Sequence, residues 1–322
     1  MSDYLIRKLE SNEFDLLLPL MKDCFGTDVS IEYFKWKFLD NPAGYFIGFV
    51  AIEPGSNEIA AYYGVIPEYY FIQNEKKKIY QSCDTMTHSR HRRKGLFQNL
   101  AIHCYDFLRE NNELFVIGFS GAQSTPGFLK FGWKRPFDFA NFFVPRILCY
   151  VAYLQPLPED RCLEIKDLSL IEHLIQRKDT AVIHSFRNIE HLRWRYNNPG
   201  RNLNVVGYKH DERIDGYVTY YVQNNKTFLF DFVFETPASR KTLTNYLKRQ
   251  VIKEKQKGII AFCQEDHNTA TDLKRSGFLK NPFNRGPLHE KTPFIFYTDE
   301  KTMKRFGTAA SWSITSYDHD AS

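Results

Sequence analysis

His88-Ser-Arg-His-Arg-Arg-Lys-Gly-Leu-Phe97 is the stretch on which the reading turns, because it joins a strand-like run ending at Thr87 to an amphipathic one. Leu96, Leu100, Cys104, Phe107 and Leu108 recur at helical spacing behind it. At a strand-to-helix junction the first helical N–H groups lack intrahelical partners, and with the positive end of the helix dipole they form a ready anion site. Gly95 lets the backbone approach a phosphate, and Arg92 can close over the same oxygens with charge-assisted hydrogen bonds. Read alone, Arg90, Arg92, Arg93 and Lys94 suit a solvated basic loop or a nucleic-acid patch equally well. The stretch is neither the Gly-x-x-x-x-Gly-Lys-Ser/Thr nucleotide loop nor a Gly-x-Gly-x-x-Gly dinucleotide turn.

Working outward, the chain repeats itself. Glu32-Tyr-Phe-Lys-Trp-Lys-Phe-Leu-Asp-Asn-Pro-Ala-Gly44 recurs as Glu190-His-Leu-Arg-Trp-Arg-Tyr-Asn-Asn-Pro-Gly200, sharing a Trp between basic residues and Asn-Pro before a glycine. Three strand-like runs follow each copy: Phe46 to Ile52, Ile59 to Ile66 and Ile79 to Thr87, then Val205 to Tyr208, Ile214 to Val222 and Thr227 to Phe234. A helix comes next in both halves, the second marked by Leu243, Tyr246, Leu247 and Val251. A short apolar strand succeeds each, Leu114 to Phe119 and Ile259 to Cys263, and a helical stretch then ends in Gly132-Trp133 or Gly277-Phe278. Two prolines and acidic residues in Gln155-Pro-Leu-Pro-Glu-Asp160 mark the boundary, so the expected domains are 1–154 and 161–322.

Composition agrees with two globular domains. The 322 residues are 43% hydrophobic, 25% charged and 16% aromatic, which excludes a disordered chain, a fibre and a small disulfide scaffold. The longest apolar run, Phe142 to Leu154, is broken by Pro145 and Arg146, so no membrane span is expected. Met-Ser-Asp-Tyr-Leu-Ile-Arg-Lys lacks a secretory core, and the six cysteines (Cys24, Cys83, Cys104, Cys149, Cys162, Cys263) form no Cys-x-x-Cys pair. Both point to a cytoplasmic setting with reduced thiols and no structural zinc. The net charge of +5 suits anionic small molecules and is too weak to argue for nucleic acid.

Arg92-Arg-Lys-Gly95-Leu-Phe97, followed by Ser124-Thr-Pro-Gly-Phe-Leu-Lys-Phe-Gly-Trp133, resembles the two motifs of the GNAT superfamily of acyl-CoA-dependent N-acyltransferases. The first is Arg/Gln-x-x-Gly-x-Gly/Ala; the second places Tyr-x-Lys-x-Gly-Phe where this chain has Phe128, Lys130, Gly132 and Trp133. Phe97 and Phe128 depart from the pattern. The resemblance implies an α/β fold of two tandem GNAT-like domains, each a mixed, mostly antiparallel sheet flanked by helices. It implies an acetyl-CoA site in the first domain. There the N–H groups of Arg93, Lys94, Gly95, Leu96 and Phe97 and the Arg92 side chain hold the pyrophosphate, and the strand ending at Thr87 aligns the thioester. Ser124 and Phe128 stand beside the pantetheine, and two splayed strands receive it.

The implied chemistry is direct transfer of acetyl to the primary amine of a small acceptor, an amino sugar or nucleotide-linked amino sugar by analogy. Phe128 cannot protonate the leaving thiolate as the family's Tyr does, so the thiolate leaves unassisted or Ser124 acts as acid. Asp84 is the first candidate base, with Glu68 and His88 behind it; its plainer reading is a carboxylate paired with a neighbour such as His88. The second half reads Phe234-Glu-Thr-Pro-Ala-Ser-Arg-Lys241 at the matching junction, with no glycine and with Glu235 where phosphate would lie. It is expected to bind no CoA and to wall the acceptor cleft. Trp36 and Trp194 suit core positions more readily than a ligand platform, and Cys83 a structural thiol. Asp318-His319-Asp320 reads as a solvated end, so no metal is assigned. Rival readings are a Fem-type aminoacyl transferase using aminoacyl-tRNA and a non-catalytic CoA-binding or scaffold protein.

Overall fold

The chain begins with strand β1 (Leu5–Lys8) and helices α1 (Leu18–Phe25) and α2 (Ile31–Phe38). Strands β2 (Ile47–Ile52), β3 (Ile59–Ile72) and β4 (Glu75–Thr87), helix α3 (Leu96–Glu110), strand β5 (Val116–Phe119) and helix α4 (Thr125–Lys130) follow. This computed structural model describes residues 4–319 except 27, 122–123, 176–182, 266, 282–287 and 289. The second part of the chain runs through β6 (Lys134–Pro145), α5 (Arg146–Cys149), β7 (Cys162–Glu164), α6 (Glu172–Ile175), β8 (Ile183–Ser185) and α7 (Ile189–Tyr196). Then come β9 (Asn204–His210), β10 (Arg213–Gln223), β11 (Lys226–Phe234), α8 (Pro237–Lys253), β12 (Gly258–Gln264) and α9 (Asn268–Arg275). The last elements are β13 (Leu279–Lys280), β14 (Thr292–Tyr297), α10 (Glu300–Arg305) and β15 (Trp312–Ser313). Among the described residues no helix is long and apolar enough to cross a membrane.

These elements pack as two units. The first comprises the chain to Pro136 with Asn198–Gly200 and Phe294–Gly307, and the second the remainder. In the first, the strand order is β1-β2-β3-β4-β5-β14, with only β4 and β5 parallel, as a crossover through α3 requires. Helix α3 turns Leu96, Leu100, Cys104, Tyr105 and Leu108 onto the sheet, where they meet Phe49, Tyr63, Val65 and Val116. In the second, the order β7-β9-β10-β11-β12-β6 repeats the plan, with β11 and β12 the parallel pair and α8 as crossover.

The repeat therefore extends to three dimensions. Trp36 and Trp194 are buried on α2 and α7, in core positions. Asn41 and Asn198 each accept an N–H from two residues on, Ala43 and Gly200, at 2.9 and 2.8 Å. Gly132 and Gly277 take φ +86° and +82°, and the next aromatic N–H reaches back to Phe128 O or Leu273 O, so the Gly-aromatic pairs are helix stops.

One difference from the sequence reading concerns the boundary. Gln155–Asp160 lies inside the second unit, and the units part at Pro136/Phe137. The reason is strand pairing: Phe139–Pro145 joins β12, burying Phe142 and Val144 beside Leu229 and Leu247, whereas Phe294–Tyr297 joins β5. Each sheet thus takes its sixth strand from the other half of the sequence.

The tail also differs from the expected solvated end. Asp318 is buried, accepts the Thr315 N–H at 2.7 Å and lies 3.6 Å from Arg187. Arg187 in turn pairs with Asp231 at 3.2 Å, and Arg195 donates to the carbonyls of Tyr317 and His319 at 2.6 Å. A buried cation holds the tail because both partners would otherwise lose solvation without compensation. Asp320 lies outside the described residues.

Candidate functional site

The parallel pairing of β4 with β5 covers only Tyr80–Ser82 against Val116–Gly118. Beyond it β4 runs on to Thr87 while β5 ends at Phe119, so the edge of β4 from Cys83 onward has no β5 partner in this register. The cause lies on the other side of β4. Pairs Tyr62–Met86 and Gly64–Cys83 leave Asp84 and Thr85 opposite Tyr63 alone, a bulge at which Asp84 takes φ +48°. A bulge increases local twist and turns one strand from its neighbour. Past Ser82, therefore, β4 and β5 no longer share ladder pairs.

The basic loop stands at the end of that edge. Arg93 and Gly95 take left-handed φ values of +63° and +75°, and Gly95 is the N-cap of α3 with no side chain accepting from the first turn. The leading N–H groups of α3 are therefore open to an anion. Residues Arg92 to Gly95 are exposed. Arg92 Nε donates to Thr87 O at 3.3 Å, which keeps its guanidinium against the strand end.

Neighbouring contacts fix the loop. Asp23 accepts the Ser89 N–H at 2.7 Å and the Ser89 hydroxyl at 2.9 Å, bonds that hold its carboxyl below the usual range. Lys94 Nζ donates to Tyr4 OH at 2.9 Å, and that oxygen lies 2.8 Å from His91 Nδ1. Glu53, Glu58 and His91 bring ligand-type atoms within 4.8 Å of one another. Arg90 pairs with Glu58 at 2.8 Å and Lys94 lies 3.5 Å from His91, so two cations already stand beside this group.

The sequence-derived residues divide into those the fold brings near the end of β4 and the start of α3 and those it turns away. Thr87 ends β4, and Arg92 to Phe97 form the loop and first turn. Phe97 replaces a small residue without blocking the turn, because its ring is directed onto α4, centred 5.1 Å from Phe128 and 5.4 Å from Phe131. Phe128 is buried in this cluster, 4.8 Å from Trp133, so its ring is part of the core beneath α4. Ser124 is exposed, and its hydroxyl donates to Gly121 O at 3.2 Å. Trp133 Nε1 donates to Tyr105 OH at 3.0 Å, which lies 2.9 Å from Tyr63 OH. Burial pushes both phenols well above the ordinary tyrosine range, so they stay protonated and tie α3 to β3.

Asp84 does not pair with His88. Its Oδ2 lies 2.8 Å from Lys37 Nζ, and Lys37 is buried, with a side-chain exposure of 1%. His88 Nε2 faces Glu58 at 3.3 Å and Asp23 at 3.6 Å instead, and Glu68 is buried. Sequence reasoning missed Lys37; the signal was its place after the repeated Trp, since Arg195 at the matching position is buried too. Counting four residues from the first parallel pair, Tyr80 or Thr227, reaches Asp84 in one unit and Asp231 in the other. Each meets a buried cation, Lys37 or Arg187.

The matching helix start in the second unit is closed. Thr236 Oγ1 accepts the Ser239 N–H at 3.0 Å while Ser239 Oγ accepts the Thr236 N–H at 3.2 Å, with Pro237 in the first turn. This capping box occupies the donors that α3 leaves open. Glu235 beside it pairs with Arg213 at 2.7 Å.

Fold and sequence together are similar to those of acyl-CoA-dependent N-acyltransferases. Residues 5–135 match the family described as acetyltransferase (GNAT) domain. Among solved structures the chain is similar to a probable N-acyltransferase of Enterococcus faecalis, at 11% identity and TM-score 0.69, covering 91% of this chain and 72% of that one. A GCN5-related N-acetyltransferase of Anabaena variabilis matches at 11% identity and TM-score 0.66, covering 91% and 72%. Saccharomyces cerevisiae N-myristoyltransferase with bound myristoyl-CoA matches at 12% identity and TM-score 0.60, covering 92% and 79%. These likenesses show a shared fold. No curated protein matches the chain by sequence.

Proposed function

We propose that the first unit transfers acetyl from acetyl-CoA to the primary amine of a small acceptor, with an amino sugar or nucleotide-linked amino sugar as the acceptor class. The observation that carries the reading is the start of α3, which no side chain caps, with Arg93 and Gly95 left-handed, just after β4 has run past its pairing with β5. The N–H groups of Arg93 to Phe97 and the Arg92 guanidinium would hold the pyrophosphate, and the backbone from Cys83 to Thr87 would pair with the pantetheine amides. That an N-myristoyltransferase of like fold holds myristoyl-CoA supports a CoA thioester as donor.

In this reading the amine nitrogen attacks the thioester carbonyl, forming the C–N bond and a tetrahedral oxyanion. The oxyanion collapses, the C–S bond breaks, and CoA leaves as a thiolate. The ammonium proton passes to Asp84, the carboxylate at the bulge, with Lys37 fixing its orientation. The thiolate leaves unassisted, or Ser124 turns from Gly121 O to donate to it. The second unit, its helix start closed by Thr236 and Ser239, binds no CoA there.

The test is thiol release. Acetyl-CoA is incubated with the protein and a panel of amines that includes amino sugars, and free CoA thiol is followed with a thiol reagent. Amine-dependent release is expected. Tight acetyl-CoA binding without release by any amine would favour a non-catalytic CoA-binding protein.

A further inference from the structure

The apolar run Phe142–Leu154 is interrupted at Pro145 and Arg146, where strand β6 gives way to α5 and a following 3-10 turn, Tyr150–Leu154. This short helical segment turns few apolar groups inward: Cys149 and Ala152 are fully buried. Outward it presents Ile147 at 73% exposure, Tyr150 at 49%, Val151 at 51% and Leu154 at 82%, with Leu148 and Tyr153 beside them. Ile147, Val151 and Leu154 fall on one side at helical spacing. No comparable concentration of exposed large apolar side chains occurs elsewhere among the described residues.

Cations border the row. The Arg146 N–H donates to Lys257 O at 3.0 Å, which places the α8 end beside the start of the segment. Arg249 donates to Ala152 O and Gln155 O at 3.2 and 2.7 Å, and its guanidinium lies 5.0 Å from the centre of the Tyr153 ring. Lys253, Lys255 and Lys257 are exposed, with Glu254 the acidic residue among them. Tyr153, Leu157, Tyr246, Arg249, Gln250 and Lys253 line a cavity of about 310 Å³.

We propose that this face docks on the surface of an anionic phospholipid bilayer. Ile147, Val151 and Leu154 enter the boundary between headgroups and acyl chains, and Tyr150 and Tyr153 lie at headgroup level, where amphipathic rings are favoured. Lys253 and Lys257 face phosphates, and the cavity beside Lys253 receives a headgroup. Charge complementarity supports this occupant, since basic residues flanking an apolar row are drawn to anionic leaflets.

A second copy fits less well. The row is confined to one short helical segment, whereas a standard interface takes about 20–30 residues a side. A self-complementary contact between two copies would also bury basic residues of the same sign from both. The docking stands independently of the acyl donor and acceptor.

The experiment is co-sedimentation of the full chain with sucrose-loaded vesicles of phosphatidylcholine alone or mixed with phosphatidylglycerol. Binding is expected on the mixed vesicles, weakened by salt. Ile147→Ser combined with Leu154→Ser should lower the vesicle partition coefficient by about tenfold or more, as should Lys253→Glu with Lys257→Glu. All four positions are exposed, so an unchanged thermal midpoint serves as the folding control. Absence of binding to mixed vesicles at low salt overturns the proposal, as does equal binding by the variants. A dimer in sedimentation velocity that the Ile147/Leu154 variant dissolves would assign the face to a second copy and overturn it too.

Discussion

Gly95→Ala separates what the loop does for stability from what it does for a ligand. Gly95 has φ +75° and ψ 6°, a left-handed conformation. An L-residue there costs about 1–2 kcal/mol, offset by the roughly 0.4–1 kcal/mol gained from a stiffer unfolded chain. A Cβ at Gly95 meets no heavy atom within 4 Å, so no packing penalty is added. The net loss is about 1 kcal/mol, a fall of roughly 2–4 °C in thermal midpoint for a unit of this size. The same methyl stands in open space at the start of α3, where the proposed site would bring a pyrophosphate close. Its harm should therefore appear in the liganded state, as an increase of at least about tenfold in the Kd for acetyl-CoA, some 1.4 kcal/mol. Thermal unfolding of the unliganded protein and calorimetric titration with acetyl-CoA measure the two quantities. Gly95→Val should be worse on both counts, because branching adds strain. An unaltered Kd in a variant that still binds acetyl-CoA would refute the reasoning and move the phosphate site elsewhere.

Other outcomes follow from the same geometry. Arg92→Ala, at an exposed position with a single 3.3 Å bond to Thr87 O, should weaken acetyl-CoA binding by about 1.5–3 kcal/mol in calorimetry and leave the unliganded midpoint unchanged. Lys37→Met should cost on the order of 3 kcal/mol in urea unfolding because it leaves Asp84 without its cation; adding Asp84→Asn should recover much of that loss. A fragment of residues 1–154 lacks Phe294–Tyr297 and should show no cooperative unfolding transition by circular dichroism, whereas the full chain does. Asp23, held below its ordinary carboxylate range by the Ser89 N–H, contributes stability present above that range and lost as pH falls through its folded value. The midpoint difference between wild type and Asp23→Asn should accordingly be present at neutral pH and shrink on acidification.

The parts of this architecture visible in the sequence are those set by local pattern. Strand runs, crossover helices and the Gly132 and Gly277 stops are short-range signals, and the Trp36 and Trp194 segments show that they occur twice. The α3 loop was legible for the same reason: Gly95 and its basic neighbours are contiguous. Long-range choices were not. Nothing in Thr292–Tyr297, an apolar run like several others, says that it pairs with β5 and not with a strand closer in sequence. Lys37 reads as one more helical cation until Asp84 is brought to it by the bulge in β4. Asp318 reads as a solvated tail residue because Arg187 and Thr315 become its neighbours only after folding.

The origin of strand β14 also sets a clock. The β5 edge is completed by Phe294–Tyr297, and Tyr297 stacks on Tyr105 and Trp133, with ring centres 4.8 and 6.0 Å apart. On a ribosome the residues of β4 and the α3 loop emerge long before that strand does. From Pro136 to Tyr297, synthesis at about 5–20 residues per second takes roughly 10–30 s, during which the β5 edge is bare. The first unit is therefore begun first but completed only when nearly the whole chain has been made, and a chain truncated between Pro136 and Phe294 would leave it with an open, aggregation-prone edge.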